Sequence, residues 1–204
     1  MTLTAATGQS YSWSTGETTQ SITVSQAGVY SAIVTTSNGC VDTTATYTTT
    51  LFADADTTVT VSGPLDFCSY NDVTLTAAAG QSYSWSTVDT SQSITVSQAG
   101  SYYAVVTTIN GCVGTTAVQV TSLLADADIA VTTSGSLDFC SHDSVSLSAA
   151  SGQSYLWNTG DTTESIISTM AGTYSVIVTT ADGCTDTTAD YSTTIYADAD
   201  TSVV

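Results

Sequence analysis

The sequence contains no lysine and no arginine in 204 residues, against 18 acidic residues, which gives a formal net charge of −18. Nucleic-acid binding requires cationic side chains that displace phosphate counterions, and adhesion to anionic lipids requires a basic patch. We therefore expect neither kind of partner. A surface with a single sign of charge attracts metal cations and keeps separate molecules apart.

Long apolar runs are also missing. No stretch approaches the ~20 apolar residues of a membrane-spanning helix, so we expect no membrane insertion in this segment. The pattern of a secretory signal peptide, a basic region followed by an apolar stretch, does not occur. We expect the sequence to be an internal piece of a longer exported chain.

The sequence does contain a tandem repeat. The hexapeptide GQSYSW begins at Gly8 and Gly80, and GQSYLW begins at Gly152, so both steps are 72 residues (80 − 8 and 152 − 80). A fixed period without insertions indicates an array of near-identical units. The predicted domains are an incomplete repeat at 1–56, complete repeats at 57–128 and 129–200, and the start of another repeat at 201–204.

Five cysteines cannot all pair with one another. One period holds Cys68 and Cys112, and the next holds Cys140 and Cys184. The predicted disulfides lie within periods and are Cys68–Cys112 and Cys140–Cys184. The partner of Cys40 is then expected at position −4 (68 − 72), outside the sequence; the alternative is a self-contained subunit in which Cys40 is free or pairs between chains. Structural disulfides persist in oxidising compartments, which predicts an extracellular or cell-surface protein.

The repeat unit has the pattern of an all-β domain. Val73, Leu75 and Ala77 alternate with polar residues, which is the two-residue period of a half-buried strand. About seven short strands, a tryptophan on a central strand, a disulfide and an AGxY corner predict an immunoglobulin-like β-sandwich. The predicted fold class is therefore all-β, with tandem immunoglobulin-like β-sandwich repeats of 72 residues in a rod-like array. The predicted core aromatic residues are Trp13, Trp85, Trp157, Tyr30, Tyr102 and Tyr174.

One long run, from Phe67 to Cys112, reads FCSYNDVTLTAAAGQSYSWSTVDTSQSITVSQAGSYYAVVTTINGC. It resembles the immunoglobulin-like repeats of giant surface and secreted proteins of Bacteroidota, which read FCxGxxVTLTA…YxWSTGxTTxSIxVxxAGxYxVxVTxxxGC. The resemblance covers every unit and implies type IX secretion and a role in gliding adhesins or surface fibres. Two features depart from it, because Tyr70 and His142 stand where glycine is usual and Lys and Arg are absent. The motif identifies a scaffold module and no activity.

Aspartates recur at the junctions between repeats. FADADT, LADADI and YADADT each place two aspartates two positions apart, and in an extended chain both carboxylates then point the same way, about 6.5 Å apart. Carboxylate and carbonyl oxygens are the ligands of Ca²⁺. We expect no required cofactor, with Ca²⁺ at the junctions as a candidate and a solvated acidic linker as the alternative. The candidate ligands are Asp54, Asp56, Asp66, Asp126, Asp128, Asp138, Asp198 and Asp200.

The resemblance also implies a pattern of O-glycosylation, in which Asp is followed by Ser or Thr and then by an apolar residue or Thr. The alternative for these positions is ordinary β-strand threonine, which is frequent in strands of any kind. The matching positions are Thr43, Thr57, Ser144, Thr162 and Thr187.

No constellation of residues indicates catalysis. His142 lies in SHDS, but sequence neighbours on an extended chain face opposite ways and do not form a triad. We expect a non-enzymatic structural segment of a long extracellular fibre or giant adhesin, which gives reach and mechanical strength for adhesion or gliding. Its partners are neighbouring repeats and, where strands bundle, other filament strands. The alternatives are a pilin-like subunit that polymerises and, third, a carbohydrate-binding module that uses exposed aromatic residues such as Tyr47, Phe52 and Tyr103.

Overall fold

The structure is a computed structural model that describes residues 1–197, and within this range all regular secondary structure is β-strand. The strands of the first repeat are β1 (Thr2–Thr4), β2 (Ser10–Trp13), β3 (Ser21–Thr23), β4 (Gly28–Tyr30), β5 (Ala32–Thr35), β6 (Val41–Thr43) and β7 (Tyr47–Thr49). Those of the second repeat are β8 (Val59–Val61), β9 (Asp66–Phe67), β10 (Val73–Ala77), β11 (Ser82–Trp85), β12 (Ser93–Val96), β13 (Gly100–Tyr102), β14 (Ala104–Thr107), β15 (Val113–Thr115) and β16 (Gln119–Leu123). Those of the third repeat are β17 (Val131–Thr133), β18 (Asp138–Cys140), β19 (Val145–Ala149), β20 (Ser154–Trp157), β21 (Ser165–Ser168), β22 (Gly172–Tyr174), β23 (Val176–Thr179), β24 (Thr185–Thr187) and β25 (Tyr191–Tyr196).

Alternation of apolar and polar residues explains which faces the strands bury. In β10, the side chains of Val73, Leu75 and Ala77 are buried, and the two threonines between them are half-buried on the opposite face. The strand β19 repeats the same pattern one period later. Successive side chains of a strand point to opposite faces, so one face of each sheet is apolar and must be covered.

Every sheet takes its strands from one period. In the second repeat the sheets have the orders β12-β10-β8, β13-β16-β9 and β11-β14-β15, and the third repeat has the corresponding orders β21-β19-β17, β22-β25-β18 and β20-β23-β24. In the first repeat two of the sheets, β1-β3 and β4-β7, have two strands.

Each complete repeat is a sandwich. The core of the third repeat joins Leu147 and Ile166 from one sheet to Trp157, Tyr174 and Val176 from the others. The tryptophan side chain is 1% exposed, and its indole N–H donates to the Thr163 carbonyl at 2.8 Å. The prediction of an all-β protein with packed sheets is confirmed, whereas the immunoglobulin assignment and the rod-like array stay predictions.

Contacts between residues divide the chain into two compact units. Unit 1 comprises Met1–Ala55 together with Thr108–Val113, and its core contains Trp13, Ile22 and Tyr30. Unit 2 comprises Asp56–Thr107 and the described chain from Gly114 onward, so it contains most of both complete repeats.

Candidate functional site at the repeat joint

The first half of the joint is the short segment around Cys68. Strand β9 lies parallel to the end of β16, with Asp66 beside Ser122 and Phe67 beside Leu123. Phe67 is 4% exposed and anchors the segment in the sandwich. Its carbonyl accepts a hydrogen bond from the Leu124 N–H at 3.0 Å. The chain therefore presents Cys68 at the end of the second repeat where β16 ends.

The second half is the turn from Thr180 to Cys184, which connects β23 with β24. The Thr180 N–H donates to the Cys184 carbonyl at 2.8 Å, and the Gly183 N–H donates to the Thr180 carbonyl at 3.0 Å. The Thr180 hydroxyl accepts from the Cys184 N–H at 3.1 Å. Gly183 has a φ of 85°, a left-handed conformation that glycine adopts without steric cost. The turn is thus held by its own hydrogen bonds.

These two halves meet in a disulfide between Cys68 and Cys184, whose Cα atoms lie 5.6 Å apart although 116 residues separate them in the chain. Cys68 is 6% exposed and Cys184 is fully buried. Beside the bond, the hydroxyl of Tyr70 accepts from the Thr185 N–H at 2.9 Å. The bridge therefore links the second repeat to the third.

The predicted disulfides within periods, Cys68–Cys112 and Cys140–Cys184, are wrong. Strands β13 and β14 run in succession and end at the turn that contains Cys112, while β16 runs antiparallel to β13 and ends beside β9. Cys68 therefore follows the strand pair next to the start of β13, whereas Cys112 follows the end of β14. Cys68 is bonded to Cys184 instead, and Cys112 and Cys140 are free, so neither predicted pair forms.

Three cysteines are free in the described chain, not one. Cys40 is exposed, and Cys112 and Cys140 are partly buried. The observed bridge joins the first cysteine of one period to the second cysteine of the next, since 184 − 68 = 116 = 44 + 72, where 44 is the separation within a period. Under this rule none of the three free cysteines pairs with another within one copy of the chain.

The junction aspartates that the structure describes do not converge on a metal site. Among residues 1–197, no group of three or more His, Cys, Asp or Glu side chains could hold a metal ion. Asp198 and Asp200 lie outside the described residues. The remaining candidate ligands are all exposed, and they are Asp54, Asp56, Asp66, Asp126, Asp128 and Asp138. Calcium binding stays a prediction without structural support.

Several of these carboxylates instead accept hydrogen bonds from nearby protein groups. Asp56 accepts from the Thr58 N–H at 2.9 Å, and this bond, with a second from the Thr58 hydroxyl, lowers the pKa of Asp56 from its ordinary value. Asp128, one period later, accepts from the Ala130 N–H at 2.9 Å. Asp66 accepts from the Ser122 hydroxyl across the β9–β16 pair. Asp56 and Asp128 therefore shape the chain locally, and Asp66 ties β9 to β16.

The other predicted site residues differ in how far they are buried. The three tryptophans, Tyr30 and Tyr174 are buried, and Tyr102 is half-buried. The candidate glycosylation positions are exposed except for Thr57, which is half-buried, so their modification stays a prediction. The exposed aromatic residues considered for sugar binding are Tyr47, Phe52 and Tyr103, with exposed fractions of 51%, 49% and 40%.

Sequence reasoning missed two features of the repeat interiors. Ser168 stands where Val24 and Val96 do, which suggests a less buried position, but it is 2% exposed. Its hydroxyl lies 3.0 Å from the Met170 carbonyl and 2.9 Å from the Tyr174 hydroxyl, so polar partners replace the apolar contacts. Val88 has a positive φ of 65°, and the glycines at the same position of the other repeats signal this conformation.

Within residues 1–197 the structure contains no helix long and apolar enough to cross a membrane.

No protein-family model and no curated protein sequence matches this chain. Similar solved structures include a bacterial ice-binding adhesin of 1.5 MDa (16% identity, 83% of this chain and 74% of that chain, TM-score 0.36). They also include murine CEACAM1b (12% identity, 65% of this chain and 96% of that chain, TM-score 0.30). A third is SGBP-B of the Bacteroides ovatus mixed-linkage glucan utilization locus, in complex with a mixed-linkage heptasaccharide (12% identity, 92% of this chain and 60% of that chain, TM-score 0.24). Likenesses of this size assign neither a family nor a function to the chain.

Proposed function

We propose that this chain is a non-catalytic structural segment of a long extracellular fibre or surface adhesin, which provides reach and bears load. The observation that carries the proposal is the disulfide between successive repeats, Cys68–Cys184. A bond within one domain would stabilise that domain alone. A bond between domains joins them covalently where an array under tension would otherwise depend on a linker.

The bridge limits how far the chain can be stretched. A pull on the two chain ends cannot extend the 116 residues enclosed between the bonded cysteines. At 3.3–3.6 Å per extended residue, about 400 Å of length is withheld from the force. In the chain-entropy description, closing a loop of this size also stabilises the folded state by about 5 kcal/mol.

The surface chemistry supports the same role. A net charge of −18 disfavours side-by-side association of the molecules. Because the chain has no Lys or Arg, trypsin has no residue after which to cleave it. An exposed, extracellular fibre benefits from both properties. The resemblance to repeats of Bacteroidota surface proteins is the reason to propose type IX secretion and a part in adhesion or gliding.

Single-molecule stretching tests the proposal directly. The 204-residue chain is held by its two ends and unfolded first in oxidising buffer and then with a reductant. We expect the fully extended length to increase by about 400 Å on reduction, as the enclosed 116 residues become available. The Cys68→Ser variant should show the longer length in both buffers. Cys40→Ser is the matched control and should behave as the unmodified chain. If the unmodified chain has the same extended length in both buffers, the load-bearing bridge is ruled out.

A further inference from the structure

Each half of the joint between the second and third repeats has a counterpart elsewhere in the chain, and the cysteine of each counterpart is free. Strand β18 lies parallel to the end of β25, with Cys140 beside Tyr196, just as β9 lies beside β16. The Asp143 N–H donates to the Cys140 carbonyl at 2.9 Å, and the Asn71 N–H donates to the Cys68 carbonyl at the same distance. Phe139, 8% exposed, anchors this segment as Phe67 anchors the other. Cys140 is therefore held in the geometry of a bonded cysteine.

The complementary half is present at Cys40. In the turn that begins at Thr36, the Thr36 N–H donates to the Cys40 carbonyl at 2.9 Å, and the Cys40 N–H donates to the Thr36 hydroxyl at 3.2 Å. Gly39 has a φ of 83°, against 85° for Gly183 in the bonded turn. The turn is the same, but Cys40 is exposed where Cys184 is fully buried.

We propose that Cys140 of one copy of this chain forms a disulfide with Cys40 of a second copy, which joins copies head to tail through the joint already formed by Cys68 and Cys184. The bonded equivalents of Cys140 and Cys40 are Cys68 and Cys184, whose disulfide shows how the two halves join. One chain carries both halves, so each copy can accept one neighbour and donate to another. This inference goes beyond the proposed load-bearing role, because it names the surface and the partner through which a fibre would grow.

The bond-forming step balances with an external oxidant. The two cysteine thiols lose two protons and two electrons and form one S–S bond. A disulfide oxidant accepts them, and in the experiment it is oxidised glutathione, which leaves as two molecules of reduced glutathione. The acidic copies repel one another, so the reaction is carried out at about 0.15 M salt, where the screening length is about 8 Å.

The test uses two single variants of the full chain, Cys40→Ser and Cys140→Ser. The unmodified chain should give a non-reducing ladder at multiples of 20.8 kDa that collapses on reduction. Each variant alone should remain monomeric, with at least a tenfold loss of multimers. An equal mixture of the two variants should stop at the dimer, because only one Cys140–Cys40 pair can form. Peptide mapping should find that pair alongside intact Cys68–Cys184.

The control variant is Cys112→Ser. Cys112 lies in an equivalent turn, but this turn belongs to unit 1 together with residues 1–55. Its ladder should equal that of the unmodified chain. Dimers of the Cys40→Ser variant alone, linked through two Cys140 residues, would overturn the proposal. The proposal would also be overturned if the mixture of the two variants gave no dimers, or if Cys112→Ser reduced the ladder as much as Cys40→Ser or Cys140→Ser does. None of these results bears on the stretching experiment, which concerns the bond inside one chain.

Discussion

The hydroxyl of Tyr70 accepts a hydrogen bond from the backbone N–H of Thr185 at 2.9 Å, although 115 positions separate the two residues. The same hydroxyl lies 3.3 Å from the Thr185 hydroxyl. The contact ties the segment after Cys68 to the strand after Cys184, so the joint has a polar clamp next to its covalent bond.

Replacing Tyr70 by Phe should loosen this clamp without breaking the disulfide. A hydrogen bond of this kind contributes about 0.5–1.5 kcal/mol, so the Thr185 amide should exchange with solvent roughly two to ten times faster. Amide exchange followed by NMR measures the effect. The Val176 amide, which donates to the buried Thr188 hydroxyl at 3.1 Å within the third repeat, serves as the internal control and should not change. An unchanged Thr185 exchange rate would show that the contact does not hold the joint.

A second hydrogen bond of this kind lies inside each repeat. In the second repeat it joins the first residue of β14 to the residue that follows β15. The Thr116 hydroxyl accepts from the Ala104 N–H at 2.9 Å, and both residues are buried, at 4% and 0% exposed. Thr116→Val keeps the shape of the side chain but leaves a buried N–H without its acceptor, which should lower the free energy of unfolding by about 1–3 kcal/mol. Urea unfolding of the oxidised protein measures the loss.

The matched control for this change is one position away. Thr115, the last residue of β15, is exposed, so Thr115→Val should alter the free energy of unfolding by no more than about 0.5 kcal/mol. Equal effects at both positions would show that the cost comes from the strand and not from the hydrogen bond.

The strands and the cores could be predicted from the sequence because they depend on local pattern. Alternation at Val73, Leu75 and Ala77 determines which face is buried, and the period of 72 residues transfers the result from unit to unit. The same period is the reason that the disulfides could not be predicted. Pairing within a unit and pairing between neighbouring units use the same residue types and differ by one period. Deciding between them requires the parallel pairing of β9 with β16, which places Cys68 next to the start of β13, whereas Cys112 follows the end of β14.

The positive φ of Val88, by contrast, has a sequence signal. Gly16 and Gly160 occupy the same position in the other repeats and have φ of 98° and 93°. Valine is β-branched, and a left-handed conformation costs such a residue about 1–3 kcal/mol. Glycine avoids this cost but loses roughly 0.5–1 kcal/mol through the greater freedom of the unfolded chain. Val88→Gly should therefore stabilise the second repeat by about 1 kcal/mol, as measured by its urea unfolding midpoint.

The reciprocal change tests whether the backbone is the cause. Nothing lies within 4 Å of a Cβ built at Gly160, so a larger side chain meets no obstacle there. Gly160→Val should nevertheless destabilise the third repeat by about 1 kcal/mol, because it imposes the strained conformation on valine. If Val88→Gly and Gly160→Val both stabilise or both destabilise the protein, the φ angle alone does not explain their effects.

Acid should weaken the turn that contains Asp89, which lies between β11 and β12. Asp89 accepts from the Ser91 hydroxyl at 2.5 Å and from the Ser91 N–H at 2.9 Å, and these bonds, the hydroxyl first, hold the pKa of Asp89 below its ordinary value of 3.8. A carboxyl group whose pKa is lower in the folded state stabilises that state above the unfolded pKa, and this stabilisation is lost as the pH falls through the folded value. The turn should therefore keep its full stability at neutral pH and lose it below about pH 4.

Carbon-13 NMR titration of the Asp89 carboxyl group measures this pKa directly. Ser91→Ala removes the hydroxyl, the larger of the two causes, and should move the Asp89 pKa upward toward 3.8 while the backbone donor remains. The stability difference between the unmodified chain and Asp89→Asn should shrink between about pH 7 and pH 2.5, because asparagine does not titrate there. A difference that stays constant over this range would mean that the charge on Asp89 contributes nothing to the turn, and that its hydrogen bonds act through geometry alone.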